Sequence, residues 1–262
     1  MNPSPQLNQW RAVIVLAWVS CACALLTGPG APRPVFGGPP FVTDDPEPVP
    51  LHHWELYLAG TYSRERGGES ALAPMVEVNY GAFPDVQLHL VAPFAYDHPT
   101  GEGGHFGYGD TELGIKYRPI HETERLPQVG IFPLVELPTG DEGRGLGNGK
   151  AQFFFPIWLQ KSWDEGKWTT YGGGGYWVNL GDGNEDFWRV GWEIQRRLAD
   201  NLVLGGEIFF ETEDTRDGED HTAFNIGAIY DIDEHSHLLL SAGRDIDGPN
   251  RFTTYVGIQF TF

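Results

Sequence analysis

The chain has two cysteines in 262 residues, Cys21 and Cys23. No cysteine follows residue 23, so the rest of the chain has no disulfide and no thiolate nucleophile. Methionine is equally scarce, at 2. Long apolar runs are missing beyond the first 26 residues, and the mean hydropathy is -0.31. That excludes a bundle of membrane helices, which needs runs of about 20 apolar residues. It does not exclude a membrane β-barrel, where half of each strand faces water. Positive charge is also short, with 17 Lys and Arg against 36 Asp and Glu and a net charge of -19. Such a balance excludes nucleic acid as a partner, disfavours anionic solutes and favours cations. There is no Gly-x-Ser-x-Gly elbow and no His-Glu-x-x-His helix, so the sequence reads as a non-enzyme with no cofactor.

What is present is alternation. In the last residues Phe252, Thr254, Val256, Ile258, Phe260 and Phe262 share one parity. Thr253, Tyr255, Gly257, Gln259 and Thr261 share the other. A strand sends alternate side chains to opposite faces, so this strand has an apolar face and a polar or small face. The same pattern recurs in roughly twelve segments. Examples are Leu113, Ile115 and Tyr117 against Glu112, Lys116 and Arg118, and Val190, Trp192 and Ile194 against Arg189, Glu193 and Arg197. The eleventh segment, His237 to Gly243, reads as short. Connections after odd-numbered segments read as long and glycine- or acid-rich: Asp97 to Gly109, Thr139 to Gly149, Leu180 to Glu185, Glu213 to Asp220 and Arg244 to Asn250. Those after even-numbered segments read as mostly tight, with His121 to Pro127 as an exception. This sorting is that of outer-membrane barrels, which have short periplasmic turns and long external loops. The expected fold is therefore all-β: a transmembrane antiparallel up-and-down barrel of about 12 strands.

The N-terminal region agrees. Arg11 is the only charged residue among the first 32, and it precedes the apolar run Ala12 to Leu26. The run is short for a membrane span and suits a signal-peptide core, with Ala22-Cys23-Ala24 at its end. The sequence thus divides into a signal peptide (1–24), a proline-rich leader (25–51) and a barrel (52–262), in the bacterial outer membrane. The leader reads either as a periplasmic spacer or as a plug folded into the lumen.

Three motifs carry a resemblance. They are Phe41-Val42-Thr43-Asp44-Asp45-Pro46 followed by Trp54-Glu55, the run Gly109 to Arg118, and Leu137-Pro138-Thr139-Gly140-Asp141 with Gly145 to Gly149 and Pro156 to Trp163. Together they resemble the family of outer-membrane proteins named after the meta pathway of phenol degradation. One departure is Asp45, where arginine is expected more often. The resemblance implies a porin-like transport barrel for small organic compounds, aromatic or hydrophobic ones among them, and no catalytic residues. The terminal pattern at Gly257, Phe260 and Phe262 resembles the signal read by the barrel assembly machinery.

The polar faces supply the candidates for selectivity: Glu112, Lys116, Arg118, Glu136, Arg189, Glu193, Arg197, Glu207, Glu211 and Asp231. Acidic and basic walls in a narrow lumen would make a field that selects a solute. The alternative is that these charges pair across strands and fill the interior. A second functional alternative is a non-conducting surface barrel whose acidic loops bind cations. Outer-membrane lipid and lipopolysaccharide are the other expected partners. His235 and His237 read as a solvated turn, and Gly172 to Gly175 as relief for bulky neighbours. No residue reads as a metal ligand.

Overall fold

The computed structural model describes residues 38–181 and 183–262. The signal-peptide segment and residues 25–37 of the leader lie outside the described residues. Fourteen strands follow in chain order. They are β1 (Trp54–Glu65), β2 (Gly68–Phe83), β3 (Val86–Pro99), β4 (His105–Tyr108), β5 (Thr111–Ile120), β6 (Gln128–Ile131) and β7 (Leu134–Leu137). β8 (Gln152–Trp163), β9 (Trp168–Asn179), β10 (Phe187–Ala199), β11 (Leu202–Glu211), β12 (His221–Asp231), β13 (Ser236–Asp247) and β14 (Asn250–Thr261) complete the set.

β4 and β5 pair with successive parts of β3, and β6 and β7 with successive parts of β8. Each of these pairs is one stave with a break, so the fourteen strands make twelve staves. The second break falls at Phe132-Pro133, where proline has no N–H to give to the ladder. β1 pairs antiparallel with β14, in a register that sets Leu58 opposite Ile258, and this closes the sheet. Closure leaves no unpaired edge to face lipid.

Alternation decides which face is which. On β5, Leu113, Ile115 and Tyr117 are exposed, while Lys116 between them is buried. The exposed parity of the whole sheet forms an aliphatic band, with Leu58, Leu90, Ile157, Val190, Leu204, Ile226 and Val256 among its members. Aromatic side chains flank the band. Trp54 stacks on Tyr80 at 4.2 Å near the chain-terminal end, and Phe94 stacks on Phe106 at 5.7 Å towards the other. The Arg196 guanidinium lies over the Trp168 ring, 4.8 Å from its centre. These are the girdles of a bilayer-spanning barrel.

Two readings of the sequence need correction. β13 is not short: it runs on through Arg244 and Asp245 to Asp247, so the Arg244 to Asn250 stretch is strand with a two-residue turn. Beyond the apolar band both faces of a strand meet polar surroundings, and polar residues there no longer mark its end. His237 is not solvated. It is 2% exposed, and its Nδ1 lies 2.9 Å from Asp231 Oδ1.

Candidate functional site

Residues 38–51 run along the inward face of the barrel and are fixed at widely spaced points. The Glu207 carboxylate on β11 receives the backbone N–H groups of Val42 at 2.9 Å and Thr43 at 2.8 Å. Asn225 Nδ2 on β12 donates to the same carboxylate at 2.6 Å. On β13, Ser241 Oγ donates to the Pro40 carbonyl at 2.5 Å. On β3, Gln87 Oε1 accepts from Val49 N–H at 2.9 Å. Lys116 Nζ on β5 lies 3.0 Å from Asp44 and 3.7 Å from Asp45, and Arg118 lies 3.3 Å from Glu47. A strap with irregular backbone survives inside a barrel only if such partners replace water. Space is made for it by small residues. A Cβ at Gly227 or Gly205 would lie 2.6 Å or 2.8 Å from the Phe41 ring, and one at Gly81 would overlap the Pro50 carbonyl.

The three motifs that carry the family resemblance meet here. Asp44 and Asp45 of the first hold Lys116 of the second. Asp110, also in the second, accepts the backbone N–H groups of Gly140 at 2.7 Å and Asn148 at 2.6 Å in the third. One buried carboxylate therefore gathers both ends of the loop between β7 and β8.

The other sequence candidates all lie on the inward parity, but they do not form opposed acidic and basic walls. Arg189 on β10 holds Glu211 on β11 at 2.6 Å, and His221 approaches the same carboxylate at 3.4 Å. Arg197 lies 3.7 Å from Asp231. Glu193 is fully buried and accepts from Gln195 Nε2 at 2.8 Å, which also donates to the Tyr171 hydroxyl at 2.5 Å. Glu112 meets His89 Nε2 at 2.8 Å, while His89 Nδ1 meets Asn79 Oδ1 at 2.7 Å. Glu136 alone has no hydrogen bond or ion pair among the described residues. Of the terminal residues, Gly257 and Phe260 pair with Ala59 and Leu56 of β1, and Phe262 follows the strand.

A cavity of about 290 Å³ remains beside the strap. One side is aromatic: Phe132, Phe154, Trp158 and Trp177. The Phe154 and Trp177 rings stack at 4.7 Å and 8°, and the Arg189 guanidinium lies 5.8 Å and 5.6 Å from their centres. The other side is acidic, with Asp110, Glu112 and Glu136 among eight carboxyl side chains against Lys116 and Arg189. Sequence reasoning missed the aromatic wall. Phe154 and Trp158 share the inward parity of Gln152 and Gln160, and that parity was the signal.

A closed twelve-stave barrel with an apolar outer band, aromatic girdles and a polar lumen is an outer-membrane β-barrel. The solved structures agree at the level of fold. A NanC porin aligns with a TM-score of 0.57 at 10% identity, over 78% of this chain and 98% of its own. A KdgM porin aligns with a TM-score of 0.50 at 11% identity, over 79% and 99%. No curated protein sequence matches. The family model described as "Putative MetA-pathway of phenol degradation" matches residues 54–262, and the chain belongs to that family.

Proposed function

We propose that this barrel admits small organic solutes, aromatic or hydrophobic ones among them, across the outer membrane by passive diffusion past the strap. The observation that carries this reading is the cavity of about 290 Å³, which keeps an aromatic wall and a charged wall in one lumen. Pockets that hold small organic molecules have this composition: apolar area for affinity and a few polar groups for orientation. The strap narrows the path, so the passage suits small ions and single small molecules and not large solutes. Lipid and lipopolysaccharide surround the band, and the assembly machinery reads Gly257, Phe260 and Phe262.

One observation favours a second reading. The strap reaches partners on β3, β5, β11 and β13, and a lumen so filled suits a non-conducting structural barrel. Single-channel recording of the refolded full chain in a planar bilayer, under a salt gradient, separates the two. Steady openings that prefer cations are expected. A folded barrel silent to ions and impermeable to neutral solutes in a liposome-swelling assay overturns the uptake reading and leaves the structural one.

A further inference from the structure

The lumen cavity is more selective than its aromatic wall alone implies. Its two cations are already engaged, Lys116 by Asp44 and Arg189 by Glu211. His89 is engaged by Glu112. Glu136 has no such partner among the described residues, and it stands directly opposite Glu112 across the β5–β7 ladder. Like charges placed directly opposite on a sheet repel. A positive charge between them would remove that repulsion. Next to Glu136 in the same lining, Phe154 and Trp177 already carry one cation on their faces, that of Arg189. A metal ion would leave the aromatic faces unused, and among the described residues no three carboxylate, imidazole or thiol groups are placed to hold one.

We infer that the cavity between Glu136 and the Phe154–Trp177 pair binds a small organic monocation, a protonated amine on an aromatic body. The ammonium lies against Glu136 and Glu112, and the ring against Phe154 and Trp177. A volume of about 290 Å³ limits the guest to roughly one ring with a short chain. The inference rests on the uptake reading only for its physiological meaning, because binding is measurable without transport.

The test uses three solutes of one shape: 2-amino-1-phenylethanol, 1-phenylethane-1,2-diol and mandelate. They share the ring and the benzylic hydroxyl and carry charges of plus one, zero and minus one near neutral pH. Binding to the refolded full chain is read from tryptophan fluorescence. The amine should bind at least about tenfold more tightly than the diol, and mandelate most weakly. Glu136→Gln should bring the amine close to the diol; Glu136 makes no hydrogen bond or ion pair among the described residues, so the variant should fold. If it does not, the wild-type ranking alone decides. Mandelate or the diol matching the amine, or a preference unchanged in Glu136→Gln, overturns the inference. Liposome swelling with the same solutes separates the two readings. Binding preference without passage retires the uptake reading only; passage of all three without preference retires the cation site only.

Discussion

The wall made by β10 to β14 and the wall made by β3 to β9 treat the same lumen in opposite ways. On the first, the carboxylates are engaged at close range: Glu207 takes two strap amides and Asn225, Gln195 bridges Glu193 and Tyr171, and Asp231 holds His237. Val203, Ile229, Leu239 and Tyr255 fill the space between, packing with Tyr57 and Met75 of β1 and β2. On the second, the side chains leave a cavity, and Glu136 has no hydrogen bond or ion pair among the described residues. Carboxylates matched in this way fix one conformation, because leaving one of them alone costs more than the pair returns. Unmatched groups have capacity to spare for a guest. Rigidity and recognition are therefore assigned to different arcs of one barrel, and the strap joins them.

Removing the strap should erase the contrast. Deletion of residues 38–51 strips Glu207, Lys116, Arg118 and Gln87 of their partners in the strap and opens the lumen. Single-channel conductance should rise several-fold, with a shift in ion preference. A deletion variant with unaltered conductance would mean that the strap does not restrict the path.

Glu207→Ala is the next largest break. It leaves the Val42 and Thr43 amides and the Asn225 side chain without their acceptor inside the barrel. Each unsatisfied buried group costs about 1–3 kcal/mol. Urea unfolding in detergent should show a midpoint well below that of the wild type, and single-channel traces should flicker as the strap detaches. An unchanged midpoint with steady current would show that the strap is held elsewhere.

Asp110→Asn tests the open arc. One carboxylate oxygen accepts from Gly140 and the other from Asn148, so an amide must turn a donor towards one of them. The loss should be about 1–3 kcal/mol. It should stay local, seen as proteolytic nicking between residues 138 and 151 before any change in global unfolding. Nicking at the wild-type rate would remove Asp110 as the anchor of that loop.

The sequence made the two arcs legible in unequal measure. A strand's period of two is local, so Glu193, Glu207 and Arg189 could be placed on the inward face from their neighbours alone. The pairing of those charges was not legible, because opposite strands share no short-range signal. The strap was legible only as one of two readings: a run of prolines suits a solvated spacer as well as a plug, and Val42 and Glu207, which join it to the lumen wall, stand 165 residues apart. Phe154 was hidden for another reason. It stands between Phe153 and Phe155, in a run apolar on both faces, where alternation carries no contrast.

The smallest expected effect lies at the chain-terminal rim, outside both arcs. Asp85, in the turn between β2 and β3, accepts from Arg118 Nη2 at 2.8 Å and faces His121 Nε2 at 3.0 Å. Partial burial alone would raise its pKa, but the hydrogen bonds and charges of Arg118 and His121 outweigh this and hold it below the usual carboxylate value. An acid whose folded pKa is depressed adds stability above its unfolded pKa, about 3.9, and loses it as pH falls through the folded value. The clamp should thus act fully at pH 5 and fade below about pH 4. The Asp85 side chain is 26% exposed, so solvent screening limits the gain to about 1 kcal/mol or less. Asp85 has a φ of +62°, which asparagine tolerates, so Asp85→Asn keeps the turn and removes only the charge. The urea midpoint of Asp85→Asn should fall slightly below that of the wild type at pH 5 and converge on it towards pH 3. A gap that persists at pH 3 would assign the loss to the turn itself and not to the ion pair.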